Sequence, residues 1–142
     1  MKIEPLKNKY HGLYRDIATR VSQQSYATRR KVGCVIVSPT GLIAVGFNGM
    51  PAGLDNDCEM PDGSTDPWVI HAERNAIDKM TRQGVPVDGS ILFTTLSPCV
   101  ECAKSIAAVG ITTVYYGEEY RDTSGLEFLQ YSGVTVKQWD NV

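Results

Sequence analysis

Four side chains in this sequence are of types that can hold a metal ion and move a proton. They are His71 and Glu73 in the run His-Ala-Glu, and Cys99 and Cys102 in the run Pro-Cys-Val-Glu-Cys. Proline suits the first position of a helix, so Pro98 predicts Cys99 in the first turn and Cys102 one turn later on the same face. Two thiols at a helix N-terminus, where the macrodipole lowers a thiol pKa, can bind a metal as thiolates.

A histidine ligand would turn this cysteine pair into a catalytic metal site. His71 begins a predicted helix and can join the two cysteines around Zn²⁺, which leaves a fourth position for water. Zinc lowers the pKa of such a water from about 15.7 to about 7, so hydroxide forms near neutral pH. Glu73 can take the water's proton and pass it to a substrate without being a ligand. The sequence therefore predicts one zinc ion held by His71, Cys99 and Cys102, with Glu73 as the catalytic acid and base.

Two less specific interpretations of the cysteine pair stay open. A redox-active Cys-x-x-Cys would leave the histidine and the glutamate without a role, and it predicts a thioredoxin-like strand where this chain has Ser-Pro. A closed structural zinc site needs a fourth protein ligand, which Cys58 or His11 would have to provide.

Composition and charge restrict the class of protein. The chain has 142 residues, 42% of them hydrophobic and 21% charged, which predicts a single globular domain over 1–142. No apolar run approaches the roughly 20 residues of a membrane-spanning helix, and MKIEPLKNKYHG lacks the features of a signal or transit peptide. We therefore expect a cytoplasmic protein without a membrane partner. A net charge of −2 and a pI near 5.6 favour a small nucleotide over polymeric nucleic acid.

The elements that must position these residues follow an αββαβαβαβ order. Leu13, Ile17 and Val21 share one face of a predicted surface helix over 9–24. Two β-branched runs around Pro-Thr-Gly predict a hairpin, and the Gly-, Pro- and Asp-rich stretch 48–69 predicts a functional loop. Strands that alternate with helices then imply an α/β sheet with helices on both faces; the predicted segments are strands 32–38, 42–47, 90–95, 111–116 and 134–137, and helices 71–80, 98–109 and 123–132.

The combination of His-Ala-Glu with Pro-Cys-Val-Glu-Cys resembles the signature of the zinc-dependent cytidine and deoxycytidylate deaminases, in which the glutamate has the acid/base role. The resemblance extends from about Val32 to Tyr120 and looks closest to the deoxycytidylate deaminases. It implies a cytidine-deaminase-like fold with a single mixed five-stranded sheet. It also implies hydrolysis of dCMP to dUMP and ammonia, which feeds thymidylate nucleotide synthesis.

Further residues are assigned by the same resemblance. The run Gly-Phe-Asn-Gly-Met-Pro is similar to the Gly-Tyr-Asn-Gly-Met-Pro stretch of that family, with Phe47 in place of tyrosine. Asn48 is then expected to bind the sugar hydroxyl, the Ala72 backbone the pyrimidine carbonyl, and the Ser97 carbonyl the leaving amine, while Tyr120 lines the base pocket. Guanidinium groups form forked hydrogen bonds with phosphate, so the candidates for the phosphate site are Arg29, Arg30 and Arg121.

The resemblance also implies regulation. Members of this family are typically homohexamers that dCTP activates and dTTP inhibits, with the Gly-Tyr-Asn-Gly stretch in the regulatory site. The expected effector site, which would take a dNTP with or without Mg²⁺, comprises Gly46, Phe47, Asn48, Gly49, Lys79 and Arg82. A simple turn at Asn-Gly and a solvated helix face at the two basic residues are the alternatives.

Two other functions stay open at this point. A nucleic-acid-editing deaminase that resembles the tRNA adenosine deaminases would share both zinc motifs, but its polyanionic substrate favours a basic surface. A zinc-stabilised module that binds dNTPs without turnover would have no use for an acid/base residue such as Glu73 beside the metal.

Overall fold

The computed structural model describes residues 8–139 and has four helices and five strands in the predicted order. Residues 1–7, which carry most of the N-terminal run used to argue against a targeting peptide, and residues 140–142 lie outside this range. None of the helices within it combines the length and apolarity needed to cross a bilayer. The helices are Asn8–Ser22 (α1), Ala72–Arg82 (α2), Val100–Ala108 (α3) and Ser124–Tyr131 (α4), and the strands are Gly33–Val37 (β1), Ile43–Phe47 (β2), Ile91–Leu96 (β3), Thr113–Glu118 (β4) and Thr135–Gln138 (β5).

The five strands form one mixed sheet in the order β2-β1-β3-β4-β5. Strand β1 pairs antiparallel with β2 and β3, while β3, β4 and β5 run parallel. A tight turn closes the β1–β2 hairpin, and Gly41 there has a positive φ of 90°, a conformation that costs glycine little. Helices α3 and α4 provide the crossovers that parallel pairs require. These observations confirm the predicted α/β fold with a mixed five-stranded sheet.

Helices cover both faces of the sheet, as predicted. All five residues of β1 are buried, and because side chains alternate along a strand, they feed two different cores. Val35 and Val37 pack under α1 together with Phe93. Cys34 and Ile36 point to the opposite face, where the core is formed with residues of α2, α3 and α4.

Helix α1 forms as predicted, and of the three aliphatic residues on its predicted face Ile17 packs against the core. Leu13 is 52% exposed, whereas Tyr14 and Ala18 are buried. The backbone of α1 lies so close to β1 that a Cβ atom on Gly33 would be 2.3 Å from the Ala18 carbonyl oxygen. A close helix–strand contact needs a small residue, and Gly33 provides it on the strand side; the spacing of Leu, Ile and Val in the helix does not indicate such a contact.

Helix α2 approaches the hairpin just as closely, at Gly46 of β2. A Cβ atom at this position would lie 2.3 Å from the Ala72 carbonyl oxygen and 2.7 Å from the Ala76 amide nitrogen. The Cys34 thiol of β1 donates a hydrogen bond to the same Ala72 carbonyl, at 3.2 Å. These contacts fix the start of α2, where His71 and Glu73 stand.

We expect Gly46→Ala to lower the free energy of unfolding by about 1–3 kcal/mol, because the added methyl group overlaps the backbone of α2. Urea unfolding of the purified variant measures this loss. Gly49→Ala is the matched control from the same run, since the nearest atom to its Cβ would be Phe47 Cε2 at 3.9 Å. Equal stability of the two variants would contradict the close contact at Gly46.

Candidate metal and substrate site

His71 and Cys99 occupy the same kind of position, each as the residue that precedes a helix. His71 caps α2 with φ −69° and ψ 155°, and Cys99 caps α3 with φ −70° and ψ 169°. Neither side chain makes a capping hydrogen bond, so both can serve as metal ligands. The expectation that Pro98 begins the helix was wrong, because Cys99 has the extended backbone of an N-cap residue. Cys102 lies in the first turn of α3 and still shares a face with Cys99.

The three predicted ligands lie together. His71 Nδ1 is 3.2 Å from Cys102 Sγ and 3.5 Å from Cys99 Sγ, and all three donor atoms lie within 4.8 Å of one another. Tetrahedral zinc with bonds of about 2.1 Å to nitrogen and 2.3 Å to sulfur separates such donors by about 3.6 Å. One imidazole and two thiols therefore fit a zinc ion held by three protein ligands.

Neither proposed fourth ligand belongs to this cluster. The Cys58 thiol bonds the Asn56 carbonyl oxygen at 3.5 Å. His11 belongs to α1, where its ring packs on Phe93 and Tyr115 with centroids 5.5 and 4.9 Å away. The closed structural site therefore lacks its fourth protein ligand among residues 8–139.

Protonation in the cluster is set by short contacts and burial. Hydrogen bonds with Cys102 and His71 lower the pKa of the Cys99 thiol to about 4. Donation to Cys99, together with burial, raises the pKa of Cys102. Glu73 is only 4% exposed, and burial raises the pKa of its carboxyl to about 7 against the opposing effect of His71. A carboxyl that gains and loses its proton near neutral pH suits acid–base chemistry.

A cavity of about 410 Å³ opens beside the cluster and contains His71, Glu73 and Cys99 in its wall. Its volume is in the range of small-molecule sites. Every residue assigned above to substrate contact also lines it, although the individual contacts stay predictions: Asn48, Ala72, Ser97, Tyr120, Arg29, Arg30 and Arg121.

Asn48 has a second role in the structure. The Val32 amide donates to Asn48 Oδ1 at 2.8 Å, and Asn48 Nδ2 donates to the Arg30 carbonyl oxygen at 2.8 Å. Its side chain therefore secures the segment that enters β1. One N–H of the amide group is left for the predicted sugar contact.

Ser97 joins two parts of the cavity wall. Its amide donates to the Glu118 carbonyl oxygen at 2.8 Å, and its hydroxyl accepts a hydrogen bond from the Tyr120 amide at 2.6 Å. The segment that carries Tyr120 and Arg121 is thus held against the turn that leads into Cys99. The turn at Ser97 therefore positions both Cys99 of the metal cluster and Tyr120 of the predicted base pocket.

The three arginines lie at the exposed rim of the cavity. Arg30 Nη2 is 2.7 Å from Glu118 Oε2, with the two side chains 50% and 75% exposed. An ion pair this exposed contributes little to stability, but it directs the guanidinium group of Arg30 along the rim.

Sequence reasoning missed part of the wall. The loop 48–69 was predicted to be functional without a statement of which residues face the site. Four aspartates in this loop each accept a hydrogen bond from the backbone amide two residues later: Asp55, Asp57, Asp62 and Asp66. Such bonds fold a loop locally, so these aspartates were the signal in the sequence that the loop is ordered. The further lining residues are Ala27, Val32, Cys58, Glu59, Thr65, Val69 and Leu96.

Of the residues expected to form an effector site, Lys79 and Phe47 lie near each other, whereas the others lie in different surroundings. Lys79 Nζ donates to the Val45 carbonyl oxygen at 2.8 Å and lies 6.0 Å from the Phe47 ring centroid. Gly46 is buried beneath α2, and Asn48 lines the first cavity. A second cavity of about 310 Å³ lies beside Lys79, and neither Arg82 nor Gly49 lines it.

Comparisons with known proteins agree with this geometry. Residues 9–118 match the family described as the cytidine and deoxycytidylate deaminase zinc-binding region. The chain is 42% identical over 120 residues to ComE operon protein 2 of Bacillus subtilis, which covers 81% of this chain and 63% of that protein. It is 35% identical over 145 residues to the deoxycytidylate deaminase of Enterobacteria phage T4, covering 73% and 75% of the two chains.

A solved structure is similar over almost its whole length. The dCMP deaminase of cyanophage S-TIM5, in complex with dCMP and dUMP, superposes with a TM-score of 0.91 at 46% identity, covering 94% of this chain and 99% of that one. A mixed five-stranded sheet with a His-Cys-Cys cluster beside a buried glutamate defines the class of zinc-dependent deaminases. Within that class, the chain belongs to the cytidine and deoxycytidylate deaminase family.

We expect Cys99→Ser to lose its zinc, because a neutral hydroxyl is a poor replacement for a thiolate ligand. Elemental analysis of the purified variant measures the metal content. Cys58→Ser is the matched control, since Cys58 lines the same cavity without belonging to the cluster, and it should keep about one zinc ion per chain. Equal loss from both variants would favour a closed structural site instead.

Proposed function

We propose that this chain hydrolyses dCMP to dUMP with release of ammonia. The observation that carries the proposal is a buried acid, Glu73, in a cavity that also contains two of three clustered metal ligands and has arginines at its rim. The names of the phage relatives support the choice of substrate. The product would feed thymidylate nucleotide synthesis. The four cysteines are free, as is usual in a reducing cytoplasm, which is the location we propose.

The cavity residues suit this reaction. When bound, zinc would supply a Lewis acid that lowers the pKa of a water molecule to about 7. Glu73 would carry two protons in turn, one from the attacking water to the ring nitrogen of the pyrimidine and one from the added hydroxyl to the departing amine. Ala72 is the first residue of α2, so its N–H has no partner within the helix and can donate to the pyrimidine carbonyl. The Ser97 carbonyl is proposed to accept from the leaving amine.

The two other functions receive less support. An editing deaminase would need a basic surface for its polyanion, yet this chain has a net charge of −2. A binding module without turnover would have no use for Glu73. Burial makes the charged form of this carboxyl less stable and raises its pKa, a cost that only a role in proton transfer would offset.

We expect the zinc-loaded protein to release ammonia from dCMP faster than from deoxycytidine, dCTP or an RNA hairpin, measured in parallel. Glu73→Gln should keep the fold and the zinc but lose turnover by about 10⁴-fold or more, because proton transfer typically contributes 10²–10⁴-fold and this residue would act in more than one transfer. Near-normal turnover in the zinc-loaded variant would contradict the role of Glu73. A preference for the hairpin would instead favour the editing function.

We further propose that dCTP activates and dTTP inhibits a homo-oligomer, expected to be a hexamer. Lys79 and Phe47 lie together near the end of α2. The start of the same helix carries His71 and Glu73, so a ligand at Lys79 can act on them through one rigid element. Mg²⁺ would arrive with the effector's phosphates. Leu42 and Ile43 are 57% and 47% exposed beside the sheet edge, a feature typical of an interface.

We expect dCTP and dTTP to shift dCMP saturation curves in opposite directions. Typical coupling of about 1–3 kcal/mol would change substrate affinity roughly 5- to 150-fold. Arg82→Ala and Lys79→Ala, measured with and without each effector, should reduce these shifts and leave the curve without effector unchanged. Unchanged wild-type curves would refute the regulation and leave the deaminase function intact.

A further inference from the structure

Glu59 places a carboxylate in the cavity wall, and it is neither a metal ligand nor one of the expected substrate contacts. Its Oε2 accepts hydrogen bonds from two successive backbone amides, those of Thr28 at 3.1 Å and Arg29 at 3.3 Å. These bonds join the loop after β2 to the irregular segment between α1 and β1, about 30 positions earlier in the chain. Arg29 lines the cavity beside Glu59.

Two adjacent N–H groups converge on one carboxylate oxygen, and bonds of this kind to a charged acceptor are stronger than neutral ones. Burial alone would raise the pKa of Glu59, but the bonds from Arg29 and Thr28 hold it below its usual range. The carboxylate is therefore ionised at neutral pH.

The loop holds Glu59 from its own side. Its amide donates to Asp57 Oδ1 at 3.4 Å, and the residue pairs with Thr65 in an isolated β-bridge. The neighbouring Cys58 is only 1% exposed, so it anchors this part of the loop in the protein. Glu59 thus offers a fixed acceptor rather than a free side chain.

The segment between α1 and β1 is held in place by side chains from the loop after β2. Between the end of α1 and the start of β1 it has no regular structure. Asn48 bonds its final residues, at Arg30 and Val32, and Glu59 bonds the two residues just before them, Thr28 and Arg29. Bonds of Ser25 with Asn48, Ala27 and Lys31 hold the segment further upstream, and the Asn48 and Glu59 contacts hold the backbone of Arg29 and Arg30 itself at the rim of the cavity.

We propose that Glu59 is a positioning residue for the phosphate end of the substrate, which fastens the Thr28–Arg29 backbone to the cavity wall and so holds Arg29 at the rim. The proposal rests on the proposed function, in which the substrate is a nucleoside monophosphate. Glu59 itself does not bind the phosphate, which its charge would repel. It acts through Arg29, and its removal affects only substrates that carry a phosphate.

The test compares steady-state kinetics of zinc-loaded wild type, Glu59→Ala and Glu59→Gln on dCMP and on deoxycytidine. Glu59→Ala should raise KM for dCMP on the order of tenfold, with kcat and the values for deoxycytidine little changed, because bonds to a charged acceptor are lost. Glu59→Gln should restore most of the affinity, since its amide oxygen can accept both bonds. Glu127→Ala is the control for loss of charge alone, because Glu127 is exposed on α4.

A double-mutant cycle tests whether the effect passes through Arg29. In the Arg29→Ala background, Glu59→Ala should cause no further rise in KM for dCMP, as coupled residues are not additive. Equal losses of kcat/KM on dCMP and deoxycytidine would overturn the proposal, and so would additive effects of the two substitutions in the cycle. A lower KM for dCMP in both Glu59 variants would also overturn it, because the carboxylate would then act by repelling the phosphate. A wild-type protein without activity on dCMP would refute the proposed function before any variant is compared.

Discussion

The close contact between Gly46 and the Ala72 carbonyl determines where helix α2 begins, and the site depends on that position. Because no side chain separates β2 from α2 there, the first turn of the helix is pressed against the sheet. The residue before that turn is His71, and the second residue within it is Glu73. A shift of the helix away from the sheet would move a metal ligand and the buried acid together, so packing and chemistry share one constraint.

The second half of the site is built at the carboxyl end of β3, at the same edge of the sheet as Gly46, because Cys34 pairs with both Gly46 and Thr94. Strand β3 ends at Leu96, and the turn that follows places Cys99 before α3. The Ser97 hydroxyl ties this turn to the segment after β4. Both helices point their N-termini at the cluster, where the partial positive charge of the helix dipole stabilises thiolate.

Charge is distributed in the cavity by depth. Burial raises the pKa of the Glu73 carboxyl to about 7, while the carboxylate of Glu59 stays ionised because two backbone amides donate hydrogen bonds to it and lower its pKa. The arginines stand at the exposed rim. A substrate with an anionic end and a neutral ring matches this order, since its charge can stay at the rim while the ring reaches the acid.

Much of this molecule was determined locally in the sequence. Each of the two motifs, His-Ala-Glu and Cys-x-x-Cys, is short, and the hairpin and the individual strands and helices likewise follow from neighbours within a few residues. The structure confirms the fold and brings the three ligands together. Tertiary structure alone decided which face of α1 is buried, that Cys99 precedes its helix, and that Gly46, Asn48 and Lys79 lie in different surroundings. It also joined Glu59 to Arg29. These features depend on contacts between backbone segments distant along the chain, and neither periodicity nor spacing within one segment records which other segment will pack against it.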